Sequence, residues 1–149
     1  MNEQDPSIAG SVEFETDATV TGSLVGAVRA RDVHLTNAAA GFATATGNLS
    51  ILNGGCGPVV ASGGVTIRNG GCGPVIAGGD VSFTNAGTQS VIAARTATVG
   101  PNAYVGLVVS PRVTIADGGK VLFSTREALL FGAAAGVVSL MLSRIFRRR

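Results

Sequence analysis

The strongest constraint on the fold of this chain is a repeat of sixteen residues. The segment NGGCGPV occurs at residues 53–59 and again at residues 69–75. At this period, residues 31–126 divide into six rungs without a gap, each opening on an apolar–polar–apolar triplet such as Val33-His34-Leu35. A strict short period is the signature of a solenoid. Alternation with period two indicates a strand in each rung, and the Gly-Gly pairs exclude a helical repeat.

The sequence therefore predicts an all-β, single-stranded β-solenoid with sixteen-residue coils, followed by one C-terminal hydrophobic α-helix. Each coil is expected to hold a strand, a Gly-rich turn, a second strand and another turn. We expect an N-terminal tail at residues 1–9, about seven coils over residues 10–126, and the helix at residues 127–149. Residues 10–30 exceed one period, so an insertion or irregular cap is expected there, in which Val12 and Phe14 resemble the apolar pair of each rung.

Residues at the same rung position are expected to stack into columns. The core columns are Val33, Leu49, Val65, Val81, Ala97 and Val113, then Leu35, Ile51, Ile67, Phe83, Val99 and Ile115, with small residues Ala45, Ala61, Ala77 and Ala93 near the second strand. A polar column comprises Asn37, Asn53, Asn69 and Asn85, with Asp117 at the last rung. Stacked Asn side chains can form a hydrogen-bonded ladder, which we favour over a polar binding row.

The composition argues against a catalytic or metal-binding site. There is one His and no carboxylate cluster, and His34 is predicted to lie on the surface. Cys56 and Cys72 share a rung position and are expected as inert thiols in a turn, with a redox or metal pair as the alternative. The body lacks a basic stripe, so we expect no nucleic acid as a partner. We also expect no small-molecule substrate, no cofactor and no enzymatic activity.

The second strand of each coil is expected to contribute an interface. It reads VVA, VIA, VIA and LVV in successive rungs, so alternation leaves one of two apolar columns outside. The candidates are either Val59, Val75, Val91 and Leu107, or Val60, Ile76, Ile92 and Val108. A bend that turns both columns inward is the alternative.

The C-terminal segment has a different character. Residues 128–143 carry no charge, and a helix that is apolar all round is buried or spans a membrane. We expect a membrane helix containing Leu129, Leu130, Phe131, Gly132, Gly136, Val137, Val138, Leu140 and Leu142, flanked by Arg144, Arg147, Arg148 and Arg149. A soluble helix that caps the solenoid is the alternative. No signal peptide precedes the body, so the body is expected in the cytoplasm, although the opposite topology stays open.

Stacked short coils with V-x-I strand signals and Gly/Asn turns, over residues 10–126, resemble the bactofilins. The resemblance implies a bacterial β-helical cytoskeletal protein that polymerises without nucleotide and associates with the inner membrane. Our primary hypothesis is thus a non-enzymatic, membrane-anchored scaffold whose partners are membrane lipid and either further copies or a membrane protein complex. The alternative is an accessory subunit of a larger membrane complex, without self-polymerisation.

Overall fold

The computed structural model describes residues 16–124 and the backbone of Val12–Glu13. The described chain is a parallel β-solenoid of about seven turns, in which neighbouring strands pair in parallel. The predicted tail at residues 1–9 and helix at residues 127–149 lie outside the described residues. The strands are β1 (Val12–Glu13), β2 (Ala18–Thr21), β3 (Leu24–Ala30), β4 (Val33–Thr36), β5 (Ala39–Ala45), β6 (Leu49–Leu52), β7 (Gly55–Cys56), β8 (Val59–Ala61), β9 (Val65–Cys72), β10 (Val75–Ala77), β11 (Val81–Ala93), β12 (Thr96–Val99), β13 (Tyr104–Val109), β14 (Arg112–Ile115) and β15 (Lys120–Phe123).

Each coil contains three strand segments instead of the two that the sequence predicts. In the third coil, at residues 47–62, the segments are β6, β7 and β8, and each pairs with the equivalent segment of the fourth coil. We call the three stacks the first, second and third faces. In other coils the segments merge, and the alternation of buried and exposed residues breaks at each bend, as at Gly41-Phe42 in β5. The Gly-rich stretch that the sequence suggests as a turn is therefore largely the second face.

A left-handed backbone residue marks the corner between the first and second faces in every described coil. Asn37, Asn53, Asn69, Asn85 and Asn102 have φ between 48° and 53°, while Gly22 and Gly118 have φ of 63° and 85°. Asn is the common non-glycine residue there, because its short side chain can bond locally. The side chains of Asn69, Asn85 and Asn102 each donate to the Asn of the preceding coil at 3.0–3.1 Å. The predicted Asn ladder is confirmed.

The predicted place of Asp117 at the end of this ladder is wrong. Tyr104 pairs with Lys120, which aligns Asn102 with Gly118. The chain therefore ends the column with a glycine in the left-handed region, and Asn102 is the ladder residue that the sixteen-residue alignment misses.

A second set of side chains holds the corner between the third and first faces. The backbone N–H of Asn48 donates to Asp32 Oδ1 at 2.6 Å, and the N–H of Gly64 donates to Asn48 Oδ1 at 2.9 Å. Two coils further on, the N–H of Thr96 donates to Asp80 Oδ1 at 3.1 Å. Each of these side chains thus accepts a hydrogen bond from the backbone of the next coil, which ties neighbouring corners together.

The core is a narrow stack of aliphatic side chains, as predicted. Val33, Val65 and Val81 on the first face are 0–1% exposed, and Phe83 is fully buried. The Ala column at residues 45, 61, 77 and 93 is 2–3% exposed. Only the last described coil differs, because Val113 is half-buried and Ile115 is 50% exposed.

The register departs from the strict sixteen-residue period at two places. Between the fifth and sixth coils, the first face keeps a spacing of sixteen, from Val81 to Ala97, while the second and third faces shift to seventeen, from Thr88 to Val105. The added residue is Pro101, whose carbonyl accepts from the N–H of Asn85. The gap-free alignment of six rungs is therefore wrong at this corner.

The first described coil is shorter than predicted. Ala18 pairs with Val33, a spacing of fifteen residues, and Val12 pairs with Val28 on the third face. Val12 thus closes a preceding turn, and the prediction that it opens a coil is wrong. Ala18 and Val20 fill the opening positions, because their alternation places both in the core.

Candidate interaction surface

The third face presents an apolar column to solvent. Strands β8 and β10 bury their first and third residues, for example Val59 at 0% and Ala61 at 3% exposed. Alternation in a strand then turns the middle residue outward. These middle residues stack in register as Thr44, Val60, Ile76, Ile92 and Val109, which we call the Ile column.

The structure decides between the two columns that the sequence left open. Val60, Ile76, Ile92 and Val109 are 37%, 47%, 48% and 37% exposed. The other candidates Val59, Val75 and Val91 are fully or almost fully buried and belong to the core. The alternative of a bend that turns both columns inward is wrong for the third face.

Two of the candidate interface residues are displaced by the insertion at Pro101. Val108 pairs with Val91 and is fully buried, so its assignment to the outward column is wrong. Leu107 pairs with Ser90 and is half-buried, so it does not belong with Val59. Val109 takes the outward place instead. The only sequence signal of this shift is the proline before Asn102, at the corner where earlier coils have Asn alone.

A second outward column runs along the edge of the third face and was not identified from the sequence. Its residues stack in register as Phe42, Pro58, Pro74, Ser90, Leu107 and Phe123, and we call it the Pro column. Phe42 and Phe123 are 38% and 50% exposed, and both prolines are exposed. Together the two columns form an uncharged surface from Phe42 to Phe123.

The other two faces have a different chemistry. The first face exposes or half-exposes hydroxyl residues such as Thr66 and Thr98, together with His34, which is exposed as predicted. The second face carries the outward glycines Gly55, Gly71 and Gly87, at which a Cβ would meet nothing closer than 3.6 Å. Leu24, Leu52 and Tyr104 are exposed singly on these two faces, whereas the exposed apolar side chains of the third face stack in register. An exposed contiguous patch of this kind indicates contact with another surface.

The last described coil adds exposed apolar side chains at one end of the rod. Among the described residues, β14 pairs only with β12 and β15 only with β13. Ile115, Leu122 and Phe123 are 50–55% exposed. At the opposite end β2 likewise pairs only with β4 among these residues, but Ala18 is 1% and Val25 is 4% exposed.

Cys56 and Cys72 lie in strands of the second face, not in a turn as predicted. They pair in register on adjacent coils, and both are free, buried thiols. A hydrogen bond with Cys56, together with burial, raises the pKa of Cys72. The same hydrogen bond lowers the pKa of Cys56. The prediction of an inert thiol therefore holds for Cys72, since a thiol that resists ionisation is a poor nucleophile and a poor metal ligand. Among residues 16–124, no group of three or more His, Cys, Asp or Glu side chains is placed to hold a metal ion.

The residues predicted to form a membrane helix lie outside the described part of the chain, as do the predicted flanking arginines. They are Leu129, Leu130, Phe131, Gly132, Gly136, Val137, Val138, Leu140 and Leu142, with Arg144, Arg147, Arg148 and Arg149. Within the described part, no helix is long and apolar enough to cross a bilayer. The chain leaves the described region at Ser124, directly after the last residue of the Pro column.

Comparisons with protein-family models, with curated proteins and with solved structures give no match for this chain.

Proposed function

We propose that this chain is a non-enzymatic, membrane-anchored scaffold that self-associates, in the manner of the bactofilins. The observation that carries the proposal is the uncharged apolar surface of the third face, formed by the Ile and Pro columns. Burial of apolar surface stabilises by about 25 cal/mol per Å², so removing this surface from water favours association. The stacked coils hold the side chains of the two columns in register.

The open last coil gives the proposal a second support. Each strand of β14 and β15 has one free edge among the described residues, and exposed strand edges are templates for further strand pairing. The exposed side chains of Ile115, Leu122 and Phe123 lie at the same end. Contact of this end with another copy or with another protein would cover both the edges and the side chains.

The membrane anchor rests on the sequence of residues 128–143, which carry no charge. At 1.5 Å per residue a helix of this length spans about 24 Å, and with Arg144 reaching to the headgroups it extends toward the roughly 30 Å of a bilayer core. We propose a tail anchor that leaves the solenoid in the cytoplasm of a bacterial cell, at its inner membrane.

Cell fractionation tests the anchor. Full-length protein is expected in the membrane fraction, and a variant lacking residues 127–149 is expected in the soluble fraction. The matched control replaces Arg147, Arg148 and Arg149 by Lys, which keeps the charge and the length. A deletion variant that still fractionates with membranes contradicts the anchor.

Electron microscopy of the purified full-length protein in mild detergent tests self-association. Filaments, or particles that grow in steps of one protomer, support the scaffold. A single particle that contains other proteins favours the accessory-subunit alternative, and a monomer contradicts self-association.

A further inference from the structure

The two outward columns of the third face are nearly symmetric about their centre, which lies between the fourth and fifth coils at residues 63–78 and 79–94. Outward from this centre, the Ile column reads Ile76 and Val60 in one direction and Ile92 and Val109 in the other. Their exposures match in pairs, 47% with 48% and 37% with 37%. Within the six coils from Phe42 to Phe123, the Pro column has phenylalanine at both ends, and the first described coil continues the two columns with Ala27 and Arg29.

A surface with this symmetry is complementary to itself. In a two-fold interface the same patch serves both subunits, and residue i meets residue j while j meets i. A two-fold axis along the strand direction, through the centre of the third face, reverses the second rod and keeps each column opposite its own copy. It places Ile76 opposite Ile92 of the second copy, and Val60 opposite Val109 of the second copy.

We propose that two copies of this chain pack third face to third face, with their rods antiparallel, about this axis. The inference rests on the proposed function and specifies its first contact. The two sheets would pack like the halves of a β-sandwich, about 10 Å apart, with the Ile columns interdigitating. The Phe42 ring of each copy would lie near Phe123 of the other, at the two ends of the contact.

Two properties of the surface favour a second copy over another occupant. The outward side chains repeat at the spacing of parallel strands, about 4.8 Å, and a second sheet of the same chain repeats at the same spacing. The surface from Phe42 to Phe123 is also uncharged, and the charged residue in register beyond it is Arg29, next to Thr44. An apolar partner that covers Phe42 to Phe123 therefore buries no ion.

The width of the surface sets the strength of the contact. Six coils give a length of about 25–30 Å, and only two columns face outward, so the buried area is smaller than the roughly 800 Å² per partner of a standard interface. Attachment of both copies to one bilayer would raise their effective concentration and favour the pair.

Cysteine crosslinking of the full-length protein in liposomes tests the arrangement. Val60→Cys and Val109→Cys proteins are prepared separately, mixed before reconstitution, and treated with a bismaleimide too short to bridge three coils. The two-fold arrangement predicts a covalent dimer in the mixture of the two variants. It predicts little product from either variant alone, because the two copies of residue 60 are three coils apart, about 14 Å along the rod. The double variant is expected to crosslink more efficiently than the mixture, because only some dimers of a mixture combine the two variants, whereas every dimer of the double variant holds two reactive pairs.

The controls use the first face and the native thiols. Thr66→Cys and Thr98→Cys are mixed in the same way, and the wild-type chain reports on Cys56 and Cys72, which are buried. Efficient crosslinking of Val60→Cys with itself indicates parallel rods and overturns the proposal. Crosslinking of Val60→Cys with Val109→Cys that is no better than in the first-face mixture also overturns the antiparallel pair. If the full-length protein still assembles in electron micrographs, the proposed scaffold function survives that result. Failure of both measurements removes both proposals.

Discussion

At the scale of single residues, the corners of the coil are the positions where amino-acid identity matters most. The left-handed corner requires Asn or Gly, and the close approach of successive coils requires Gly at a separate set of positions. Both requirements arise from the backbone, so they hold whatever the protein binds. They can be tested with substitutions that leave the apolar columns intact.

Asn69 is the best test of the ladder. Its side chain donates to Asn53 and accepts from Asn85, and its φ is 53°. Asn69→Gly removes the two hydrogen bonds and keeps the backbone relaxed, so a loss of about 1–2 kcal/mol in the free energy of unfolding is expected. Asn69→Ala also forces a Cβ into the left-handed region, which costs about 1–2 kcal/mol more. Urea denaturation measures both. Equal stability of the two variants would contradict the strain at this corner.

Gly57 and Gly55 form a matched pair on the second face. A Cβ on Gly57 would collide with the carbonyl oxygen of Gly41, whereas a Cβ on Gly55 meets only the carbonyl oxygen of Gly71, at 3.7 Å. Gly57→Ala is therefore expected to destabilise by about 1–3 kcal/mol or more, as overpacking does. Gly55→Ala is expected to be neutral or to stabilise by a few tenths of a kcal/mol, because it restricts the unfolded chain. Thermal unfolding compares them, and a harmless Gly57→Ala would contradict the close approach of these coils.

The thiol of Cys72 is expected to react slowly. Because the pKa of Cys72 is raised by its contact with Cys56 and by burial, Cys72 holds its proton at pH 8, where an exposed thiol is partly ionised. Iodoacetamide should therefore modify Cys72 much more slowly in the folded protein than in urea, as measured by mass spectrometry of its peptide. A rate equal to that of the unfolded chain would contradict the burial of this thiol.

For the strands, the sequence predicts the buried columns of each coil, but it does not predict where the backbone bends between faces. Alternation identifies the buried columns of the first face, because V-x-I triplets recur at a fixed period. The same alternation could not distinguish Val59 from Val60 on the third face, since both are apolar and only the bend of the backbone decides which one points inward. Pro101 shifts the later third face by one residue, and a one-residue shift moves every side chain to the opposite side. Pro101 is the only sign of that shift in the sequence.

The open end predicts a gradient of protection along the rod. Repeat proteins gain much of their stability from contacts between neighbouring repeats, and within residues 16–124 strands β14 and β15 have a neighbour on one side only. In hydrogen exchange of the full-length protein in detergent, amides of β14 and β15 should exchange faster than those of β9 and β10. Equal protection of the last coil would indicate that another segment or another copy covers its edges.

As a whole, residues 16–124 form a rod with three unlike faces, and its last coil exposes apolar side chains ahead of an apolar segment of the sequence. The first face is hydroxyl-rich and the second is rich in glycine. The third is apolar and uncharged from the second described coil onward, with the exposed Arg29 on the first. Composition anticipates part of this picture, because abundant glycine and few charges suit a stacked, turn-rich structure. Which apolar column faces solvent depends on the register of the coils, and the sequence alone does not reveal that register.

The central claim is that the third face mediates self-association. Sedimentation velocity of the full-length protein in mild detergent tests it most directly, with Ile76→Asp as the variant and Thr66→Asp, on the first face of the same coil, as the control. The account predicts that the wild type and Thr66→Asp sediment as multiples of the protomer. Ile76→Asp should shift toward the monomer, with an association constant weakened about tenfold or more, because a buried carboxylate would have no partner. Identical sedimentation of all three proteins would contradict the claim.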